Sequence, residues 1–238
     1  VIVVPSGLAA PLERFISRHP HVERGEVSGT AALPFRVGEW QRGVQVAQPD
    51  AEVYGLVELM DNNPMVCADQ VSVPGPAATL ALIALGPLLR AGLVCDTPVI
   101  QLSFEGDDED LNAALASMGA DEEPIVQVSP MEMETVRASI IHVEVPSTDT
   151  PQEYDELYEE AYGRSFFVHR HTAEEWHAAQ VLGQPHALYQ LRWSPGDGPT
   201  GLLTILVMAD IHGKLGAAQV VHAMNVMAGQ EESLGIVP

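Results

Sequence analysis

The chain has 238 residues, 46% of them hydrophobic, enough for one large domain or two small ones around a packed core, and this excludes intrinsic disorder. Eleven basic residues against 33 acidic ones give a net charge of −22, and no basic stripe interrupts it, so no nucleic-acid partner is expected. The longest uncharged apolar stretch, residues 71–89, is broken by Pro74, Gly75, Pro76, Gly86 and Pro87, so no membrane span is expected either.

The first four residues form a β-branched run that reads as a buried strand, followed by a turn at Pro5-Ser6-Gly7 and a helix over residues 8–19 that Pro20 stops. Residues 22–27 offer a second strand, completing the opening unit of a doubly wound α/β domain. Residues 25–52 are rich in glycine and proline and show one convincing strand, residues 43–47, and no crossover helix. A strand at 70–73 and the tight Pro74-Gly75-Pro76 loop lead into a helix over 77–91, apolar on nearly every face and therefore buried, which Gly92 ends. A strand at 97–104 precedes a helix over 107–118 with an acidic first turn and Gly119 as its stop. Strands at 125–129 and 136–145 follow. Thr150-Pro151-Gln152-Glu153 then has the form of a capping box with proline at the first helical position, opening a helix striped by Tyr154, Leu157, Tyr158, Ala161 and Tyr162. Strands at 165–168, 187–193 and 202–208 and a final helix over 215–228 complete the chain, with no internal repeat.

The two cysteines, Cys67 and Cys95, lie in apolar segments without metal-ligand spacing and read as small buried hydrophobes in a reducing cytoplasm. No basic-then-apolar leader precedes the first strand, so no signal peptide is expected. Ten of the eleven basic residues are arginines and Lys214 is the sole lysine. A GC-rich coding sequence and adaptation of an acidic surface to high salt both account for that balance. His169 and His171 would share one face of a strand, but without a third ligand at diagnostic spacing no metal site is expected.

Four segments, in order, Val53–Leu59, Pro74–Thr79, Ser129–Arg137 and Lys214–Asn225, together resemble the N-acetyl-γ-glutamyl-phosphate reductase family within the wider semialdehyde dehydrogenase group. Val53-Tyr-Gly-Leu-Val-Glu-Leu59 is similar to the family's Tyr-Gly-Leu-Pro-Glu-Leu, and Pro74-Gly-Pro-Ala-Ala-Thr79 to its Pro-Gly-Cys-Tyr-Pro-Thr loop. Ser129-Pro-Met-Glu-Met-Glu-Thr-Val-Arg137 is similar to Thr-Pro-His-Leu-Val-Pro-Met-Val-Arg, and Lys214 through Asn225 to the closing Lys-Gly-Ala-Ala-Gly-Gln-Ala-Val-Gln-Asn-Met-Asn helix. The resemblance covers residues 53–229, and more weakly 1–28.

It implies an α/β fold: a reduced Rossmann-like N-terminal domain plus an α+β semialdehyde-dehydrogenase-type dimerisation domain. The boundaries would be residues 1–75 and 76–214, with the final helix, residues 215–229, packing back on the first domain. It implies a homodimer or a hetero-oligomer with an active paralogue, and NADP held by Ser6, Gly7, Lys214, Gly216 and Ala217. Gly75, Thr79 and Arg137 would line the substrate pocket. In the family, NADPH delivers hydride to a thioester formed between a cysteine and an acyl phosphate. The family's cysteine position is occupied here by Pro76, and its histidine segment matches Gly106-Asp-Asp-Glu-Asp110, which has none. A His169-Arg-His-Thr-Ala-Glu174 string lies well past that location. The expectation is therefore a relative without covalent chemistry. The alternatives are a working NADP-dependent oxidoreductase that reduces an acyl phosphate by another route, and a purely structural partner subunit. Two stretches are short beside the family, between Pro34 and Phe35 and around Glu105 to Asp107, either as deletions or as omitted residues.

Overall fold

β1, Ile2–Val4, pairs in parallel with β2, Val22–Arg24, and α1, Ala10–Ile16, connects them in this computed structural model, which describes residues 1–237. α1 is shorter than the apolar pattern implies and buries only Leu12, Phe15 and Ile16. The glycine-rich stretch that follows folds as a hairpin of β3, Leu33–Val37, and β4, Trp40–Val46, around Gly38 at φ 62°. β3 was not expected, because Pro34 argues against a central strand. β1 pairs with β3 only at Arg36 and Val37, so Pro34 has no ladder to interrupt on that side. The place where the chain is short beside the family thus lies within a continuous strand. β5, Val53–Tyr54, and β6, Gln70–Val73, complete a mixed six-stranded sheet in the order β2-β1-β3-β4-β6-β5. Between them lies α2, Asn62–Cys67, a second unexpected element, whose Asn-Asn-Pro start carries no apolar period.

The second sheet is also mixed and six-stranded. It contains β7, Val99–Leu102, β8, Ile125–Val128, β9, Val136–Pro146, β10, Val168–Arg170, β11, Ala187–Pro195, and β12, Thr200–Asp210, in the order β10-β11-β12-β9-β7-β8. α3, Pro76–Ala91, α4, Asp108–Ser117, and α5, Gln152–Tyr162, cover one face. The odd-numbered residues Ile141, Val143, Val145, Leu203, Ile205 and Val207 meet the helices on that face. α6, Ala217–Met227, lies against α1, α2 and β4 and is buried along its length in the core of the first sheet.

α3 is apolar all round because it is enclosed all round, and it contains Pro87. A proline there has no N–H for the carbonyl of Ile83, four residues back. The hydroxyl of Tyr162 donates to that carbonyl at 3.1 Å, and Tyr158 donates to the neighbouring carbonyl of Ala84. The tyrosine stripe of α5 therefore supplies both packing and the hydrogen bond the proline removes. The capping box ahead of α5 does not form as expected. The Thr150 hydroxyl donates to the Glu153 carboxylate, and the Glu153 N–H bonds the Thr150 carbonyl at 3.0 Å, because Pro151 itself already adopts helical angles. The strand expected at 165–168 begins only at Val168, since the Ser165 hydroxyl accepts from the N–H groups of Phe167 and Val168 and turns the chain there.

Candidate functional site

The strand-loop-helix that carries one of the four resemblances is β6, Pro74-Gly75, and the start of α3. Gly75 is the N-cap and Pro76 the first helical residue, so one of the donors that a helix start normally offers is missing. Instead, the carboxylate of Asp110, from the first turn of α4, lies against this helix end. Its Oδ2 accepts the Gly75 N–H at 2.8 Å and its Oδ1 accepts the Tyr54 hydroxyl at 2.7 Å. Asp110 is only 2% exposed. Burial pushes its carboxyl above the ordinary value, against the two hydrogen bonds, which favour the ionised form. A Cβ on Gly75 would sit 2.9 Å from Asp110 Oδ2, so glycine is needed for the carboxylate to approach. Ala47, at the strained φ of 51°, stands on the other side, with its N–H on the Val73 carbonyl.

Thr79 faces inward and is fully buried, its hydroxyl donating to the Pro74 carbonyl at 3.1 Å. Gln219 of α6 donates to the same carbonyl at 3.0 Å and to the Thr79 hydroxyl at 3.2 Å, while its Oε1 has no partner. The fold thus brings Gly75, Pro76, Thr79 and α6 together, but their polar groups bond mainly to one another. Arg137 of β9 points elsewhere. Its guanidinium bonds the carbonyls of Glu134 and Val136 and lies 5.7 Å from the ring of Phe104.

Lys214 sits just before α6, 1% exposed, with its Nζ 2.6 and 2.7 Å from the two oxygens of Glu58. Burial pulls the lysine below its ordinary value. Burial alone would raise Glu58, but the Lys214 ammonium and His222 outweigh it and hold that carboxyl below the usual range. His222 is 1% exposed, with Nε2 3.0 Å from Glu232 and Nδ1 3.8 Å from Glu58. Gly216, the N-cap of α6, is a glycine for packing, since a Cβ there would meet the Ile211 carbonyl at 2.2 Å. Ala217 is 7% exposed.

Ser6 and Gly7 lie exposed on the loop after β1, and the φ of 77° accounts for the glycine by itself. The seven-residue α1 carries Pro11 in its first turn, which removes a donor, and Glu13, which pairs with Arg24. A pyrophosphate needs several backbone N–H groups and no competing carboxylate. With Lys214 and Gly216 engaged inside the protein, the residues Ser6, Gly7, Lys214, Gly216 and Ala217 do not fit a dinucleotide.

Both cysteines are free and exposed, not buried as their apolar surroundings implied. Cys67 ends α2, at the opposite end of β6 from Gly75, and Cys95 lies past the C-terminus of α3, whose 16 residues span about 24 Å. Neither is at the helix start. His169 stacks on His186 with ring centroids 5.0 Å apart, and His171 bonds the Glu175 carbonyl. Among the described residues no group of three or more His, Cys, Asp or Glu side chains could hold a metal ion, and no helix is long and apolar enough to cross a membrane. The three principal cavities, of about 380, 260 and 180 Å³, are lined by none of the nine residues implied for cofactor, nucleophile or substrate. Glu58, Tyr54, Asp110 and His222 were not singled out in the sequence. Glu58 and Tyr54 lie within the segment of residues 53–59, which was the only signal available for them.

No protein-family model matches the chain. Curated proteins do. The N-acetyl-gamma-glutamyl-phosphate reductase of Listeria innocua is 26% identical over 281 aligned positions, covering 100% of this chain and 78% of that protein. Those of Synechocystis sp. and Synechococcus elongatus are 29% and 27% identical over 215 and 224 positions, covering 77% of this chain in each case. The chain is a distant relative of these reductases. It spans only 61% and 60% of the length of the two cyanobacterial relatives, and the 281-position alignment against 238 residues contains gaps on this chain's side.

Proposed function

We propose that this relative of N-acetyl-gamma-glutamyl-phosphate reductase performs no acyl-transfer or hydride chemistry and serves as a binding or scaffolding protein. One observation carries the reading: the helix start that would lower the pKa of a nucleophilic thiol presents Pro76 and is met by the chain's own Asp110 carboxylate. The poor fit of Ser6, Gly7, Lys214, Gly216 and Ala217 to NADP supports it. The test is NADPH oxidation with N-acetyl-γ-glutamyl phosphate, run beside the Cys67→Ser/Cys95→Ser variant. The expected result is no turnover above that variant, together with no saturable NADPH binding by fluorescence. Cysteine-dependent turnover would overturn the reading in favour of a working NADP-dependent oxidoreductase.

The scaffolding unit in this proposal is a homodimer. The even-numbered face of the second sheet is covered at one end, where residues 176–182 pack on Val136, Ala138, Leu188 and Met208, and is open beyond that, where Ile140 and Leu202 stand 37% and 39% exposed. A partly open face is ordinary for an antiparallel sheet, but exposed isoleucine and leucine on its uncovered part suit a two-fold contact with a second copy. Light scattering on Ile140→Glu should then report a monomer where the unmodified chain is a dimer. The proposed division into residues 1–75 and 76–214, with residues 215–229 returning to the first unit, is supported by the burial of α6 in the first sheet's core. Two exposed free thiols suit a reducing cytoplasm.

A further inference from the structure

The largest of the principal cavities, about 380 Å³, lies at the far end of α3 from Pro76, between the C-termini of α3 and α4. Its size is that of a small-molecule site. The floor is apolar: Leu85 and Leu115 are buried and Leu89 half-buried beside them. The rim carries Asp96, Asp121 and Glu122, and no lysine, arginine or histidine lines the cavity. Among the described residues none of the three carboxylates is paired with a basic side chain; Glu122 accepts only the Thr97 hydroxyl and Asp96 the Thr97 N–H.

The helices add to this field. α3 ends at Gly92, in the left-handed region at φ 65°, and α4 ends at Met118-Gly119, so the negative ends of two helix dipoles face one cavity. α4 has no basic residue in its last turn to offset its own, and Arg90 of α3 lines a different cavity. An anion is disfavoured there on every side, and a bare metal ion gains nothing from a leucine floor.

We propose that this cavity binds a small organic cation, an aliphatic ammonium compound whose chain lies on the leucines and whose head lies among the rim carboxylates. The site is independent of the family's catalytic position. Cys95 lines the same cavity and is exposed, whereas Cys67 is exposed elsewhere, so alkylation of the two thiols followed by mass spectrometry reports occupancy with an internal control.

The experiment uses the full chain with hexylammonium chloride, hexanoate and 1-hexanol as probes. Hexylammonium should slow Cys95 alkylation saturably, by about tenfold at about ten times its Kd, and leave Cys67 unchanged. Asp121→Asn/Glu122→Gln should weaken that protection about threefold to tenfold, and raised salt should weaken it further. No protection by hexylammonium, or equal protection by hexanoate or hexanol, would overturn the assignment.

Discussion

Replacing Lys214 by methionine separates its structural role from the cofactor role that the resemblance implies. Methionine keeps most of the stem's volume and removes the ammonium, leaving Glu58, with its side chain 4% exposed, without its bonds of 2.6 and 2.7 Å. Breaking a buried ion pair from one side costs about 3–5 kcal/mol. His222 Nδ1, 3.8 Å away, remains to share the charge, so the lower end applies, about 3 kcal/mol. In a chain of this size that is a fall in Tm of about 6–12 °C. Adding Glu58→Gln removes the orphaned charge, and the double variant should recover to within about 1 kcal/mol of the unmodified protein. The acid limb moves too. Glu58 lies below its ordinary 4.5 in the fold, so its contribution is full above that pH and is lost as pH falls through its lowered value. Urea unfolding of the three proteins, followed by circular dichroism, reads all of this. If Lys214→Met changed stability by less than about 0.5 kcal/mol and abolished NADPH binding, the lysine would be a cofactor ligand and the structural reading would be refuted.

Three further outcomes can be measured on the same footing. Tyr162→Phe should cost about 1–2 kcal/mol by orphaning the Ile83 carbonyl, and much less in a Pro87→Ala background, where residue 87 regains an N–H; additive denaturation midpoints would count against the compensation. Asp110→Ala should cost about 2–4 kcal/mol, whereas Asp110→Asn should cost about 1 kcal/mol at most, because an amide can accept from Gly75 and donate to Tyr54; equal losses would contradict that geometry. His19 is held neutral, accepting the His21 N–H on Nδ1 and donating from Nε2 to Asn225, and burial lowers it from 6.5. Its contribution should therefore be present above pH 6.5 and lost as pH falls through the lowered value, a slope that His19→Phe should abolish in guanidinium titrations between about pH 7.5 and 5.

The elements that sequence periodicity located are those in which burial follows a single pattern. α3 reads as buried because all its faces are apolar, and β9 and β12 alternate because one face is covered by α3, α4 and α5 and the other is open over part of its length. β3 and α2 escaped because their residues follow no period: Pro34 and the Asn62-Asn63-Pro64 start are ordinarily breakers, tolerated here on the side of β3 that β1 does not reach and in a first turn. Contacts distant in sequence were invisible. Lys214 and Glu58 are 156 residues apart, and Arg42, buried with its guanidinium bonded to the carbonyls of Met65, Ala68 and Met227, sits in a strand whose neighbours give no hint of it. The tyrosine stripe was legible as packing, but not as the partner of Pro87.

The site was legible only at Pro76, because a substitution inside a recognised loop shows itself, whereas an acid in the first turn of a helix has an ordinary explanation. Asp107, Asp108, Glu109 and Asp110 all read as complements to the dipole of α4. Three of them are: Asp107 caps the helix, and Asp108 and Glu109 face solvent. Asp110 turns inward and answers the dipole of α3 instead. The two departures from the reductase pattern are therefore coupled physically. A thiolate and a buried carboxylate would compete for the same N-terminal field, and each would raise the other's pKa. Restoring a sulfur at residue 76 would thus leave it facing a negative charge, so the loss of reactivity in this proposal resides in α4 as much as in the proline.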